Sequence, residues 1–282
     1  MSRRISLMIV ATALPCIAFS SQPFEPSVPF HMRMGCPVVD GIFLNGQGPF
    51  RFLLDTGAQT NQVQASIAAK LGLTPMFRTN LISAVGGNLV VGGHIAAVSL
   101  GPATGSNQEF LFTSLDFVHT LSAEIQGVLG QEFLSRFDYL LDFANRRLVF
   151  GAAAPDTGSR VRFEAIDGRP AIETSAGKLV LDYGTDTTIL FRASSSAPDA
   201  RIVTASGPGS VSTIQCLRLR IAGREYRSAK AASIPRGSLD EDGVLPASLF
   251  HAVFVSNSGK YAILDPLVNA SATSKTNRRS SK

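Results

Sequence analysis

The sequence predicts a mainly β protein with two related halves and few short helices. Short apolar runs alternate with glycine-containing turns along most of the 282 residues, a pattern typical of β architectures. The same order of segments occurs twice along the chain. In each half an apolar run ends in an aspartate closely followed by a glycine, and a Gly-Val-Leu segment comes tens of residues later.

The repeat places one carboxylate in the same setting in each half. The first copy is FRFLLDTGA (50–58) and the second is KLVLDYGT (178–185); the later segments are GVLGQEFL (127–134) and GVLPASLF (243–250). A single Asp-Thr-Gly triplet is weak evidence, since the same triplet at 156–158 follows a proline and is expected to form an ordinary turn. Two matched halves that offer Asp55 and Asp182 indicate a site with paired carboxylates.

The first half is predicted to start with a hairpin over 37–54, because Asn45-Gly46 favours a tight two-residue turn. Apolar residues at i, i+4 and i+8 predict a short helix over Gln62–Leu71. The other elements expected in this half are strands at 96–100 and 109–112, a short helix starting at Gln131, and a terminal hairpin made of 139–142 and 147–150.

A second hairpin is predicted from two apolar runs, 81–85 and 88–95, that are joined by Gly86-Gly87. In the second half, Gly207-Pro208-Gly209 separates two shorter apolar runs and predicts a counterpart of this hairpin. A linker rich in Gly, Ala and Pro, residues 151–159, divides the halves. The remaining strands expected in the second half are 171–174, 178–181, 217–221 and 243–245.

The two ends of the chain differ from the part between them. Residues 1–20 read as an export signal, with a basic start and an apolar stretch too short for a comfortable membrane span; an uncleaved anchor is the alternative. Export predicts a periplasmic or secreted protein. Residues 269–282 are expected to be a disordered basic tail. These ends hold six of the 26 basic residues, so the part between is near neutral and no nucleic-acid partner is predicted.

Other kinds of active site lack support in the sequence. There is no Gly-x-Ser-x-Gly motif, no His-Glu-x-x-His motif and no closely spaced Cys/His set, so neither a metal nor a cofactor is predicted. Outside the signal, Cys36 and Cys216 lie in different halves. Export would permit a disulfide between them, and two free thiols are the alternative.

Residues 50–150 resemble the retropepsin and pepsin clan of aspartic proteases, in particular exported bacterial proteins of retropepsin-like type. Asp55-Thr56-Gly57-Ala58 matches the catalytic Asp-Thr/Ser-Gly motif, and IQGVLG (125–130) matches the later hydrophobic-hydrophobic-Gly element. The Gly86-Gly87 hairpin falls where this family has its flap. The second half is a weaker match, because Tyr183 stands where the family has Thr or Ser and Pro246 replaces a glycine.

The resemblance implies a bilobal pepsin-like fold, with one lobe over 21–150, a divergent lobe over 160–268 and the active site in the cleft between them. It implies an aspartic endopeptidase that acts on peptides or proteins through Asp55 and Asp182. Support for the catalytic loops is expected from Thr56, Gly57, Ala58, Gly184 and Thr185. Contact between the flap and the substrate is expected from Val85, Gly86, Gly87 and Asn88.

Three hypotheses stay open at this point. In the first, one chain supplies both carboxylates and the enzyme is a monomer. In the second, Asp182 is degenerate and two Asp55 lobes meet in a homodimer. In the third, the protein is a peptide-binding envelope protein that kept the fold and lost catalysis. In the family a Thr hydroxyl helps hold the two catalytic loops together, and Tyr183 cannot place its oxygen at that short reach. Thr56 alone would then have to hold the two catalytic loops together.

Overall fold

The structure, a computed structural model, describes residues 27–268. The predicted signal (1–20) and basic tail (269–282) therefore lie outside the described residues. The prediction of a mainly β fold with few short helices is confirmed. No helix within the described part of the chain is long and apolar enough to span a membrane.

The first half consists of ten strands and three short helices within 27–150. Its strands are β1 (Ser27–Arg33), β2 (Cys36–Leu44), β3 (Gln47–Leu54), β4 (Asn61–Gln64), β5 (Phe77–Ser83), β6 (Gly86–Leu100), β7 (Ala103–Thr113), β8 (Gly127–Leu129), β9 (Tyr139–Asp142) and β10 (Arg147–Phe150). Its helices are α1 (Ala65–Lys70), α2 (Asp116–His119) and α3 (Gln131–Leu134).

The second half consists of twelve strands and one 3₁₀ turn within the described part of the chain. Its strands are β11 (Ser159–Ile166), β12 (Arg169–Thr174), β13 (Gly177–Asp182), β14 (Thr188–Phe191), β15 (Ala200–Thr204), β16 (Gly207–Thr213), β17 (Leu217–Ile221), β18 (Arg224–Ser228), β19 (Ala231–Ile234), β20 (Gly243–Pro246), β21 (Ala252–Ser256) and β22 (Tyr261–Leu264). The 3₁₀ turn is Ala247–Leu249.

Equivalent strands pair in the same way in the two halves. In the first half, β2 is antiparallel to β3, β3 is parallel to β8, and β8 is antiparallel to β4, which is parallel to β7. In the second half, β12, β13, β20, β14 and β19 repeat these pairings in the same order. The sequence repeat is therefore also a repeat of topology, and β3 and β13, which end at the two aspartates, are equivalent.

A further set of strands joins the halves. Strand β9 pairs with β10 on one side and with β21 on the other, and β21 continues through β22 to β11. Strand β1 adds to the far side of β10. One sheet therefore contains strands from both halves, and the apolar core runs through both, from Phe30 and Phe133 to Phe250.

Two predicted turns are displaced in the structure. The first-half hairpin turns at Ala84 and Val85, and Gly86 and Gly87 already belong to β6. In the second half, the turn lies at Ala205–Ser206 and the Gly207-Pro208-Gly209 run belongs to β16. Both predictions were wrong by about two residues, because glycine also suits the first position of the returning strand; Gly86 has φ +146° and Gly207 has φ +121°.

The predicted helix over Gln62–Leu71 was wrong at its start. Gln62 to Gln64 lie in β4, where they form a parallel ladder with Leu111 to Thr113 of β7, and the helix begins only at Ala65. Tertiary pairing overrides the local helical pattern here. The hairpin over 37–54 is confirmed, with Asn45 (φ +50°) and Gly46 (φ +75°) in its turn.

Candidate active site

Asp55 lies directly after β3, in a loop that the parallel neighbour β8 supports. Its backbone N–H donates to the carbonyl of Leu129 at 3.1 Å. Its Oδ1 accepts hydrogen bonds from the backbone N–H groups of Gly57 (2.8 Å) and Ala58 (3.1 Å). The tight turn after Asp55 thus directs two amide dipoles at one carboxyl oxygen, which favours its ionised form.

Asp182 is the last residue of β13 and has the equivalent position in the second half. Its Oδ1 accepts one backbone hydrogen bond, from Gly184 at 2.7 Å. Thr185, which was expected to support this loop, uses its hydroxyl within its own turn, where it bonds the backbone of Thr187. The carboxyl of Asp182 therefore accepts one backbone N–H bond where that of Asp55 accepts two.

The two loops face each other across the boundary between the halves. A Cβ placed on Gly57 would lie 2.5 Å from Cγ of Asp182, and a Cβ placed on Gly184 would lie 2.5 Å from Cγ of Asp55. Each glycine is therefore required by the close approach of the other half's carboxyl. The two carboxyl groups share a side-chain hydrogen bond, so the structure brings the predicted pair together.

Thr56 connects the two loops through its hydroxyl group. Its Oγ1 donates to the carbonyl of Leu181 at 2.7 Å and accepts from the backbone N–H of Tyr183 at 3.1 Å, and the residue is fully buried. The ring of Tyr183 points into the core, with its centroid 6.5 Å from that of Tyr139 and 6.1 Å from that of Phe143. One threonine thus holds both loops, and Tyr183 contributes apolar packing and a backbone amide.

Burial and mutual proximity change how the two carboxyls ionise. Burial raises the pKa of Asp55, and hydrogen bonds from Asp182, Gly57 and Ala58 offset part of that rise. Burial and the charge of Asp55 raise the pKa of Asp182 well above its ordinary value, against one bond from Gly184. Two carboxyls at this separation cannot both ionise easily, so the pair retains a proton in mildly acidic solution.

The predicted flap residues lie at the tip of the β5–β6 hairpin, which contacts the tip of the β15–β16 hairpin. Ser83 Oγ is 2.9 Å from Thr204 Oγ1. Asn88 Nδ2 donates to the carbonyl of Ser206 at 3.1 Å, and Ser206 Oγ donates to the carbonyl of Leu81 at 3.0 Å. We call these three bonds the tip contact. Val85 also packs against the apolar cluster of the second half.

A cavity of about 490 Å³ lies beside this tip. It is lined by residues 82–87 of the hairpin tip, Asn80, and Arg236 to Leu239 of the second half. A smaller one of about 220 Å³ lies between Asn88, Leu115 and Val203. Both are next to hairpin tips, so side chains of a chain held under the tips would have room on either side.

Three residues near the aspartates were missed by sequence reasoning. Cys36 is buried, and the charges of Asp182 and Asp55 add to burial in raising the pKa of its thiol. Arg169 acts electrostatically on both aspartates and forms an ion pair with buried Glu241. Cys36 and Arg169 each start a strand that is antiparallel to the strand leading to one of the aspartates, a relation that comes from strand pairing and has no local motif in the sequence.

Neither cysteine forms a disulfide in the structure, since Cys36 is buried, Cys216 is exposed and both are free. Of the two alternatives for these residues, the free thiols are the ones observed. Within residues 27–268, no group of three or more His, Cys, Asp or Glu side chains is arranged to hold a metal ion.

Comparison with known proteins gives a match for the first half. Residues 40–133 match the family model described as aspartyl protease. The match covers about a third of the chain and shows that this segment is similar to that family. The matched segment contains Asp55, Thr56 and the β5–β6 hairpin, which supports peptidase activity of the aspartic type.

One solved structure to which this chain is similar is a retropepsin-like aspartic protease from Rickettsia conorii. It shares 22% sequence identity, the alignment covers 44% of this chain and 87% of that chain, and the TM-score is 0.34. No curated protein matches the chain.

Proposed function

We propose that this protein is an aspartic endopeptidase in which Asp55 and Asp182 of one chain form the catalytic dyad. The observation that carries the proposal is the mutual approach of the two loops, in which each glycine faces the carboxyl of the other half. The proposal includes a two-lobed pepsin-like arrangement within one chain, with the linker 151–159 between the lobes.

The dyad supplies both proton transfers that amide hydrolysis needs. Asp55 accepts two backbone N–H bonds and Asp182 accepts one, so Asp55 is the better stabilised carboxylate and Asp182 keeps the shared proton. Asp55 takes a proton from the attacking water, and Asp182 donates its proton to the scissile carbonyl oxygen. The proton on Asp55 then passes to the leaving amine as the C–N bond breaks, and Asp182 takes back a proton from a hydroxyl of the gem-diol intermediate as its carbonyl re-forms, which regenerates the singly protonated pair.

The substrate is proposed to be an extended peptide or protein segment held under the hairpin tips. Backbone groups at Val85, Gly86, Gly87 and Asn88 would bind it in a β-like register. The cavity of about 490 Å³ combines apolar Ile82, Val85 and Leu239 with polar groups, so it would take a large, mainly apolar side chain.

The close approach of the two loops argues against the homodimer and against a peptide-binding protein without catalysis. A homodimer built on two Asp55 residues would require Gly57 to leave Asp182, which occupies the position of a partner aspartate. A pure peptide-binding protein would have no use for the second carboxyl. We therefore favour the monomer, acting after export in the periplasm or outside the cell, with neither metal nor cofactor in the reaction.

The test is cleavage of a peptide library between acidic and neutral pH by wild type and three single variants. Asp55→Asn and Asp182→Asn are each expected to reduce kcat/KM by at least about a hundredfold, because each removes one proton-transfer group. Asp156→Asn is the matched control, since Asp156 belongs to an exposed Asp-Thr-Gly turn, and it should leave cleavage unchanged. Full activity in Asp182→Asn would contradict the proposal.

A further inference from the structure

We propose, resting on the function proposed above, that the Arg169–Glu241 ion pair is a positioning pair that holds a guanidinium beside the dyad and sets the pH range in which the dyad carries one proton. Strands β12 and β13 are antiparallel with Ala171 opposite Val180. Arg169 and Asp182 each lie two residues beyond this pair, at the same end of the ladder.

The guanidinium is fixed by hydrogen bonds rather than free to swing. Its Nη1 and Nη2 donate to the two carboxylate oxygens of Glu241 at 2.8 and 3.1 Å, and its Nε donates to the carbonyl of Ile166 at 3.2 Å. Nη2 also lies 3.3 Å from a carboxylate oxygen of Asp167. The side chain of Glu241 is 1% exposed and that of Arg169 is 13% exposed, so water screens this pair weakly.

The two halves differ at this position, which makes the surroundings of the dyad asymmetric. In the first half, β2 pairs with β3 with Val38 opposite Leu53, and Cys36 and Asp55 each lie two residues beyond that pair. A thiol that stays neutral therefore stands where the second half has a charged guanidinium. The repeat thus carries a fixed positive charge on one side only.

Other charged groups lie around the two loops. Asp186, which follows Asp182 in its loop, is paired with Lys230, and both act on the Cys36 thiol from the second half. Asp167 contacts Arg169 from the β11–β12 turn. Burial has the largest effect on the pKa of both Asp55 and Asp182 and raises it; the charge of Arg169 has a smaller effect and lowers both, so its removal should raise both.

The experiment measures the pH dependence of kcat/KM for single variants of the pair. The active dyad holds one proton, so gain and loss of a proton give the two limbs of the bell-shaped dependence of kcat/KM on pH. The guanidinium charge affects both ionisations, so a change in that charge should shift both limbs in the same direction. Arg169→Gln should move both limbs to higher pH by at least about half a unit, less than the roughly one to three units typical of an unpaired neighbouring charge. Glu241→Gln leaves the guanidinium without its carboxylate and should move both limbs to lower pH.

Three further variants separate this role from a structural one. Arg169→Lys keeps the charge and should restore the wild-type profile even if kcat is reduced. The double variant R169Q/E241Q leaves no unpaired charge in the protein interior and should shift upward, by less than Arg169→Gln alone. The exposed pair Arg218 and Glu225 on the β17–β18 hairpin is the matched control, and R218Q/E225Q should leave the profile unmoved.

Failure of this inference can be distinguished from failure of the proposed function. If wild type cleaves peptides and the profiles of R169Q, E241Q and the double variant all coincide with it, the inference is overturned and the function stands. If wild type does not cleave, the function fails, and NMR titration of ¹³C-labelled aspartate carboxyls in the same variants then decides. Unshifted dyad titrations overturn the inference, and opposite shifts in the two single variants support it.

Discussion

Asp182 illustrates at the residue scale how a functional carboxyl reduces stability. Its pKa in the folded protein is raised well above its ordinary value by burial and by Asp55. Because this pKa is raised, the contribution of Asp182 to the free energy of unfolding is fully present below the pKa that its carboxyl has in the unfolded chain. The contribution is lost as pH rises through the pKa of the same carboxyl in the folded protein. The protonated dyad is therefore more favourable to folding than the ionised one.

Asp182→Asn is accordingly expected to stabilise the protein at pH 7. The amide keeps the shape of the protonated acid, so the free energy of unfolding should rise by about 1–3 kcal/mol at pH 7 and change little at about pH 3. Denaturant unfolding at both pH values measures this. Asp156→Asn, at the exposed turn, should have no effect at either pH, and an equal gain in both variants would show that the dyad is not the cause.

Thr56 is the residue on which the closeness of the two loops depends. Thr56→Val keeps the shape but leaves the Leu181 carbonyl and the Tyr183 N–H without a partner in a buried place. The free energy of unfolding should fall by about 2–4 kcal/mol, and cleavage should fall as the carboxyls separate. Thr56→Ser retains the hydroxyl and is the control. Unchanged stability of Thr56→Val in urea denaturation would show that the loops are held in another way.

At the scale of elements, we propose that the two hairpins joined by the tip contact cover the site and have to open to admit a substrate. Ser83 and Thr204 place their hydroxyl oxygens 2.9 Å apart, one on each hairpin. In the double variant S83C/T204C a disulfide at this place should close the cover and abolish cleavage of long peptides, and reductant should restore it. Each single cysteine variant serves as the control. Full activity in the oxidised double variant would show that peptides enter by another route.

Local patterns predicted the elements but not their exact limits. The alternating apolar runs and turn residues were enough to predict both hairpins, yet Gly86 and Gly207 proved to start the return strands. A helix was predicted at Gln62 to Gln64 because the apolar residues around them recur with a helical period. These residues form a strand in the structure because they pair in parallel with β7. Pairings between distant strands decide such cases, and a single sequence does not contain them explicitly.

The candidate site shows the same contrast between local motifs, which a sequence reveals, and contacts between distant strands, which it does not. Asp55, Asp182 and Thr56 could be found because their motif is local and repeated. Arg169 could not, since its nearness to Asp182 follows from the β12–β13 register and its partner Glu241 lies far along the chain. The tip contact likewise joins Asn88 to the distant Ser206.

At the scale of the whole molecule, one chain contains two equivalent halves that share a sheet and a core. The pairing of β9 with β21 ties the halves together away from the dyad, and Thr56 ties them beside it. We therefore expect the protein to act as a monomer whose specific activity does not depend on its concentration. Mixing Asp55→Asn with Asp182→Asn protein should restore no cleavage, because the mixture could contain an intact site only if Asp55 of one chain combined with Asp182 of another.

The central claim is that Asp55 and Asp182 of a single chain form one active site. Titration of the purified enzyme with a tight-binding statine-type inhibitor, followed by residual activity and by calorimetry, tests it most directly, because such a group occupies the position between the two carboxyls. We predict one inhibitor molecule bound per chain, on a species that sedimentation shows to be a monomer. One inhibitor per two chains, or no binding at acidic pH, would contradict the account.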